Sequence, residues 1–154
     1  MPMPDGMIAE LSKTHDYSVL ADDDWIPGVD PDNSWFRLLY FSAETGVWAV
    51  IFRWKQGFIA PSHTHLGASH SYILKGELAV RDNRYPAGAY LFEANGSHHG
   101  ATEAIVDTEY LFIGNGPLAF NNEHGELTGL FGWKEALAYK QRHESPESTS
   151  EGKK

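Results

Sequence analysis

Two stretches framed by glycines decide the fold prediction: residues 57–76 (GFIAPSHTHLGASHSYILKG) and 88–99 (GAYLFEANGSHH). His63 and His65 stand two positions apart, so on an extended segment their side chains point to the same face. His99 follows a turn that ends a predicted strand, and a neighbouring strand can bring it to the same point. Imidazole nitrogens are good ligands for transition metals. The spacing therefore predicts a metal site built from these three histidines.

The rest of the chain consists of short apolar, β-branched or aromatic runs separated by turn residues. Many short strands at close spacing favour a sandwich or barrel over a parallel α/β sheet, which needs helices between its strands. One helix is predicted after Gly132, where the apolar residues recur at helical spacing. Its shared face is Trp133, Ala136, Leu137 and Lys140. The predicted strands are 35–41, 47–54, 71–75, 77–81, 89–92, 110–113 and 127–131.

The length of 154 residues suits one domain, and no internal repeat suggests a second. Residues 1–16 contain Pro2, Pro4 and Gly6 and few large apolar groups, so we expect a flexible N-terminal arm. Residues 144–154 (ESPESTSEGKK) are polar and biased towards Ser and Glu, which predicts a disordered tail. The folded domain is accordingly predicted over residues 17–143.

Composition excludes several classes of function. The net charge of −9 repels phosphates and anionic lipids, so neither nucleic acid nor a membrane surface is an expected partner. The absence of cysteine excludes disulfides, thiolate metal sites and thiol catalysis. No run of about 18 apolar residues is present, and the first ten residues lack the basic and apolar regions of a signal peptide. These features predict a cytoplasmic protein.

The residue types alone leave the metal and its chemistry open. Imidazole suits Zn, Cu, Fe and Ni. Three neutral ligands keep the full charge on a divalent ion and leave open positions for an anionic, bidentate ligand such as an enolate. With Fe(II) such a site can react with O2, whereas with Zn(II) it activates water.

The other histidines are expected outside the site. His98 neighbours His99 and by strand alternation points to the opposite face. Alternation also turns His70 away from the metal, although a register slip of one residue would reverse its direction. His15, His124 and His143 fall in the predicted arm, a turn and the helix end, where solvated side chains are the ordinary case.

The two glycine-framed stretches resemble the two-part motif of the cupins. This resemblance implies an all-β, RmlC-like double-stranded β-barrel with the metal inside, and the predicted helix then packs outside the barrel. The sequence departs from the usual motif in two places. Ser69 stands where the first motif carries a glutamate ligand, and Ala94 stands where the second carries a proline. The resemblance therefore implies a site with three histidine ligands and no glutamate.

Roughly residues 35–139 resemble the cupin dioxygenases that cleave diketones, of the acetylacetone dioxygenase type. The run 116–133 is distinctive because it lies outside the metal motifs. The related 2,4'-dihydroxyacetophenone dioxygenases are similar over 63–76 (HTHLGASHSYILKG). The segments that carry the first resemblance are 34–39 (SWFRLL), 44–52 (ETGVWAVIF), 62–67 (SHTHLG), Lys75-Gly76, 79–81 (AVR), Phe92-Glu93, Gly96, His99-Gly100 with Thr102, 116–133 (GPLAFNNEHGELTGLFGW) and Glu135-Ala136.

The resemblance implies a non-haem Fe(II) dioxygenase that uses O2 to cleave a carbon–carbon bond of a 1,3-diketone or related ketone. Its iron ligands would be His63, His65 and His99. It also implies a homo-oligomer, a dimer or tetramer, for which exposed sheet edges give a physical motive.

Three further residues match polar pocket positions of these enzymes: Glu93, Arg81 and Thr102. Glu93 would take the proton that converts a diketone into its enolate, or anchor a water network. Arg81 would balance the charge of Glu93 or orient a substrate oxygen. Strand alternation by itself does not point Arg81 inward, since it lies opposite to Leu78 and Val80, and a solvated arginine at a turn is common.

At three of the pocket positions this chain departs from the diketone-cleaving enzymes, and at Tyr110 it keeps an aromatic ring. Ser71 replaces a pocket tyrosine, and Tyr72 beside it is expected to face the other way. Ala60, Tyr110 and Gly114 match aromatic positions of the pocket wall. The loss of a ring at 60 and at 114 predicts a larger cavity and a bulkier, aryl-substituted substrate.

Two alternatives stay open from the sequence. A Zn-dependent hydrolase or isomerase can use the same three histidines. A non-catalytic ligand-binding or sensor domain is also compatible, because a fold alone does not define chemistry.

Overall fold

The computed structural model describes residues 18–19 and 24–145. Within them the chain forms fourteen β-strands and one α-helix, which confirms the all-β class and the single C-terminal helix. The strands are β1 (Ile26–Pro27), β2 (Ser34–Phe41), β3 (Trp48–Trp54), β4 (Ile59–Ala60), β5 (His63–His65), β6 (Ser69–Lys75), β7 (Glu77–Val80), β8 (Asn83–Pro86), β9 (Tyr90–Glu93), β10 (His98–His99), β11 (Thr102–Ala104), β12 (Thr108–Gly114), β13 (Leu118–Asn121) and β14 (Leu127–Phe131), and the helix is α1 (Trp133–Glu144).

Alternating burial along the strands makes one face of each sheet the core face. In β12, every second residue from Thr108 to Gly114 is buried. In β3, Trp48 and Val50 are fully buried, while Ala49 and Ile51, each the next residue along the strand, are partly exposed. This period of two is what a strand with one buried face requires, and it fixes the register because a slip of one residue would expose the whole apolar set.

The strands form three antiparallel sheets that surround the core. The six-stranded sheet has the order β1-β2-β3-β12-β6-β9. One four-stranded sheet has the order β10-β5-β13-β14, and the other has the order β4-β11-β7-β8. Side chains from all three sheets line one cavity. This is the cupin barrel that the glycine-framed motifs predict.

Helix α1 covers the outside of the barrel beside β1, β2 and β14. It begins after Gly132, whose backbone N–H donates to the Glu135 carboxylate at 3.0 Å. A carboxylate in the first turn satisfies a free N–H and complements the helix dipole. Ala136 and Leu137 are its buried residues, as the predicted face requires.

The predicted strands are confirmed in place, with bounds that move by at most two residues. The short strands β1, β4, β5, β8, β10, β11 and β13 were not among the predicted strands. Strand β8 carries little strand signal in the sequence, because it begins at Asn83 and ends at Pro86. It forms because it lies at a sheet edge and pairs only with β7, so a proline can be accommodated there.

The predicted N-terminal arm, residues 1–16, lies outside the described residues. So does the predicted tail, except for Glu144, the last residue of α1, and Ser145. In the described part of the chain, α1 is too short and too polar to cross a membrane.

Candidate metal centre

The three candidate histidines meet on one inner face. Strand β10 pairs with β5 so that His99 lies directly opposite His63. His65 follows on the same face, two residues along β5. All three are buried, and one ligand nitrogen from each lies within 4.8 Å of the others. Alternation in β5 and its pairing with β10 therefore assemble the group that the spacing predicts.

Each imidazole is oriented by a hydrogen bond at its Nδ1 atom. His63 Nδ1 lies 2.9 Å from the carbonyl oxygen of Pro61, and His99 Nδ1 lies 2.8 Å from that of Gly100. A carbonyl oxygen only accepts, so in both rings Nδ1 carries the proton. His65 Nδ1 lies 3.2 Å from Ser69 Oγ. These contacts leave the Nε2 atoms for a metal, and such partners characteristically fix the tautomer and orientation of ligating histidines.

The inward-facing atoms suit a cation. His65 Nε2 and His99 Nε2 lie 3.2 Å apart, and Glu93 Oε2 lies 2.9 Å from the latter. Two nitrogens bound at about 2.1 Å from one ion are about 3.0–3.4 Å apart, so the spacing fits a shared metal. The Glu93 oxygen is buried without a conventional hydrogen bond. Lone pairs that converge in this way repel one another unless a positive charge lies among them, and the residues therefore fit a divalent metal.

The pKa values of two groups at this centre are shifted so that His63 is neutral and Glu93 is ionised, the states that favour a nearby cation. Burial lowers the pKa of His63 to about 4, which keeps the ring neutral at pH 7. Burial by itself raises the pKa of the Glu93 carboxyl, but the close contacts with the His65 and His99 rings outweigh it and hold that pKa below its usual range. Glu93 is therefore ionised, although only 7% of it is exposed.

Arg81 reaches the same carboxylate. Its Nη1 lies 3.5 Å from Glu93 Oε2, and its Nη2 donates to Ser97 Oγ at 2.8 Å. Arg81 has a φ of +54°, in the left-handed region that non-glycine residues seldom adopt. This turn after β7 breaks the strand alternation, which explains how Arg81 approaches the site although alternation does not direct it there. The guanidinium remains 40% exposed, so water screens the ion pair.

Thr102 also lies in the site region. It is buried on β11, opposite Ala60 on one side and Val80 on the other, and it lines the cavity. The structure thus gathers Glu93, Arg81 and Thr102 around the histidines.

The cavity in front of the histidines has a volume of about 260 Å³, near the small end for ligand pockets. Its walls are almost entirely apolar and aromatic. Aromatic and aliphatic side chains from every sheet contribute, and they are Trp35, Phe36, Phe52, Trp54, Phe58, Leu78, Val80, Leu91, Phe112, Leu118, Phe120 and Phe131. Such a space suits a small, mostly apolar molecule with a polar group directed at the histidines.

One of the two predicted enlargements of the cavity is wrong. Ala60 lines the cavity as expected, but Gly114 does not. A Cβ atom at 114 would lie 2.7 Å from Trp48 Nε1 and 2.9 Å from the Phe112 ring. The fully buried Trp48 indole already fills the space beside Gly114, so the missing side chain opens no volume.

The remaining described histidines lie elsewhere. His98 is exposed and its Nδ1 bonds Thr64 Oγ1 at 2.8 Å. His70 bonds the Tyr90 hydroxyl on the outer face of the sheet, where Tyr72 also lies. The exposed His124 lies in a turn. His143 pairs with Asp24 at 2.9 Å, and His15 lies outside the described residues.

Sequence reasoning missed the groups that orient the imidazoles. Ser69 was noted only as the place of an absent glutamate, yet its hydroxyl lies against His65 Nδ1. Alternation along β6 places Ser69 on the inner face, and this signal could have identified it. The carbonyl groups of Pro61 and Gly100 leave no mark in a sequence, since every residue carries one.

A double-stranded barrel with three inward-facing histidines defines a metal-site cupin. The family model of the ChrR cupin-like domain matches residues 14–119, and the chain belongs to the cupin family.

Three relatives extend the comparison. The chain is 30% identical over 131 residues to the acetylacetone-cleaving enzyme of Acinetobacter johnsonii, a match that covers 79% of this chain and 85% of the relative. The crystal structure of the acetylacetone dioxygenase from that organism superposes with a TM-score of 0.75 at 28% identity, over 82% of this chain and 91% of the other. A Methylibium petroleiphilum PM1 protein, provisionally assigned as an acetylacetone dioxygenase, gives a TM-score of 0.76 at 29% identity, over 82% and 95%.

Proposed function

We propose that this protein is a non-haem Fe(II)-dependent dioxygenase that cleaves a carbon–carbon bond of a 1,3-diketone or related ketone with O2. The observation that carries the proposal is the convergence of three oriented imidazoles on an apolar cavity of about 260 Å³. The similarity to acetylacetone dioxygenases supports the same reaction class.

His63, His65 and His99 would hold the iron. When bound, Fe(II) supplies a Lewis-acidic and redox-active centre for an enolate and for O2. The three imidazoles are neutral ligands, so an anionic enolate is favoured by the charge of the ion. Their hydrogen bonds to Pro61, Ser69 and Gly100 keep the nitrogens in place before the substrate enters.

Glu93 would act as the base. The carbon between two carbonyl groups must lose a proton to give the enolate, and Glu93 is an ionised carboxylate beside the histidines. Arg81 approaches Glu93 from the more exposed side and stabilises its charge. The protonated Glu93 then returns its proton as the acid product leaves. Thr102 would donate to a substrate oxygen or to a water molecule in the cavity.

The apolar walls would exclude water. The reacting group lies among buried aromatic side chains, where electrostatic interactions are stronger than in solution. A nearly dry site also protects the enolate from reprotonation by bulk water. The aromatic walls therefore support chemistry on an apolar ketone.

The test is O2 uptake by protein that has been stripped of metal and reloaded anaerobically with Fe(II). We expect saturable uptake with aliphatic or aryl 1,3-diketones or hydroxyacetophenones, together with a carboxylic acid product. The Zn(II)-loaded protein is the matched control. Hydrolysis or isomerisation by that form, with no uptake by the iron form, would support the zinc alternative. Tight binding of a ketone without turnover in either form would support the non-catalytic alternative.

A homo-oligomer is also proposed, with a second copy covering the outer face of β6 and β9. Tyr72, Leu74, Tyr90 and Phe92 project from this face and are 45–58% exposed. Large side chains present about 150–250 Å² each and these four are already about half covered, so they would supply roughly 300–500 Å², about half of the ~800 Å² that each partner buries in a stable dimer.

The substitution Phe92→Asp places a charge on this face and should convert the oligomer into monomers in light scattering after size-exclusion chromatography. A wild-type protein that is monomeric at micromolar concentration would refute the assignment. An oligomer that survives Phe92→Asp would place the interface elsewhere.

A further inference from the structure

Tyr110 contributes a hydroxyl group to an otherwise aromatic part of the cavity. It lies on β12, is 6% exposed and lines the cavity. Its ring packs against Phe52 and Trp54, with centroid distances of 5.2 and 5.1 Å. Within residues 24–145 no group forms a hydrogen bond with this hydroxyl.

The hydroxyl oxygen remains accessible from the cavity, so it is available to a bound molecule. A ligand that covers this hydroxyl without accepting its hydrogen bond displaces its water and binds less tightly than one that accepts the bond. Phenylalanine would make the same ring contacts with Phe52 and Trp54 but would offer a ligand no hydrogen bond. Buried tyrosines usually find a partner for their hydroxyl group, so a missing partner points to a molecule that supplies one.

Tyr110 lies beside the path of the substrate arm, the part of a bound ligand that would extend away from the histidines. Phe112, two residues along β12, faces His65 at a ring-centroid distance of 6.5 Å. Tyr110 is the next inward-facing residue, about 7 Å further along the strand. A ligand whose reacting oxygens lie at the histidines would therefore extend one arm past Phe112 towards the phenol.

The phenol is a donor under all ordinary conditions. Burial, with a smaller contribution from the charge of Glu93, raises the pKa of Tyr110 well above its usual value. The same negative charge disfavours a second anionic group on the ligand. The ligand group that meets Tyr110 is thus a neutral acceptor.

We propose that Tyr110 is a specificity-determining residue that donates a hydrogen bond to a neutral acceptor on the arm of the substrate. The substrate class is then an aryl-substituted 1,3-diketone or related ketone whose ring carries an acceptor atom, rather than a purely hydrocarbon arm. This inference rests on the proposed function for the ketone group at the histidines and adds the recognition of the arm.

The experiment compares 1-phenylbutane-1,3-dione with its 2-, 3- and 4-pyridyl analogues, which have nearly the same shape and move one acceptor nitrogen around the ring. Dissociation constants are measured by calorimetry on Zn(II)-loaded protein, so no turnover is needed. At mildly alkaline pH the pyridine ring is neutral. We expect one pyridyl isomer to bind roughly 3- to 30-fold more tightly than the phenyl compound.

The variant Tyr110→Phe removes only the hydroxyl oxygen. In this variant we expect that isomer and the phenyl compound to bind with about equal affinity. The phenyl compound should bind to the variant at least as tightly as to the wild-type protein. The ratio of the phenyl to the pyridyl dissociation constant is compared between wild type and the variant, because this comparison cancels the intrinsic difference between the rings. Tyr139→Phe is the matched control, because Tyr139 lies on α1 outside the cavity, and it should leave the ratio unchanged.

The outcomes separate this inference from the proposed function. Equal phenyl-to-pyridyl ratios in wild type and Tyr110→Phe would overturn the role of Tyr110 and indicate a hydroxyl bonded to solvent. Failure of every diketone to bind would overturn both proposals. A ratio that collapses in the variant, in a protein whose iron form consumes no O2, would support the recognition role and refute only the dioxygenase.

Discussion

The histidine cluster (His63, His65, His99) and the aromatic cluster (Phe52, Trp54, Tyr110) line the same cavity but are held in different ways. In the histidine cluster, every ring is oriented by a hydrogen bond at Nδ1. In the aromatic cluster, the rings are fixed by packing, and the one hydroxyl has no partner among the described residues. Directional bonds determine where chemistry takes place, whereas packing determines which molecules reach it.

The largest effect is expected from removal of a histidine. His99→Ala should lower bound metal from about one ion per chain to under a tenth and reduce O2 uptake by more than about 100-fold, because two remaining imidazoles hold a divalent ion weakly. Elemental analysis and an oxygen electrode measure the two quantities. The matched control is His98→Ala, whose ring points outward. Near wild-type iron content and turnover in His99→Ala would refute the ligand assignment.

Glu93→Gln tests the base beside the histidines. The amide keeps the shape of the side chain but cannot take up a proton, so kcat/KM should fall by about 10²- to 10⁴-fold. Iron content should stay within about twofold of wild type if Glu93 acts on the substrate rather than as a ligand. A variant that loses its iron as well would assign Glu93 to the metal, and one that keeps full activity would remove it from the mechanism.

Ser69→Ala tests the orientation of His65. Loss of the contact at Nδ1 frees the ring to rotate, and metal affinity should fall by about 10- to 100-fold. Competition with a chromogenic chelator reports the affinity without any assay of activity. Unaltered affinity would mean that packing alone holds the His65 ring.

The smallest effect is expected at the wall of the cavity. Ala60→Phe adds a ring to the lining and should reduce kcat/KM for aryl diketones by roughly tenfold, with acetylacetone changed less than about threefold. Parallel kinetics on the two substrates measure the change. Equal losses on both would show that position 60 affects the metal site rather than the size of the pocket.

Much of the histidine cluster could be predicted because its geometry follows from strand alternation. His63 and His65 are two residues apart on β5, and the pairing of β10 with β5 brings His99 opposite His63. The short apolar runs that form β3 and β12 likewise indicated a sandwich or barrel. These features depend on local periodicity, which a single sequence records.

The rest depends on tertiary contacts that no periodicity records. The approach of Arg81 to Glu93 requires a positive φ that breaks the alternation. The lack of a partner for the Tyr110 hydroxyl depends on every surrounding side chain. The interpretation of Gly114 was wrong because the filling of its space depends on Trp48, which lies on a different strand.

The contact between Trp48 and Gly114 also constrains how this part of the core can evolve. The indole donates to the carbonyl oxygen of Gly116 at 2.9 Å and occupies the volume that a side chain at 114 would need. The two positions therefore cannot both be large, and a bulky residue at either requires a small one at the other. A lineage that exchanges them must pass through an intermediate with two small residues and a cavity between them, since the reverse order would overpack the core. The order in which mutations can accumulate is thus fixed by one shared volume.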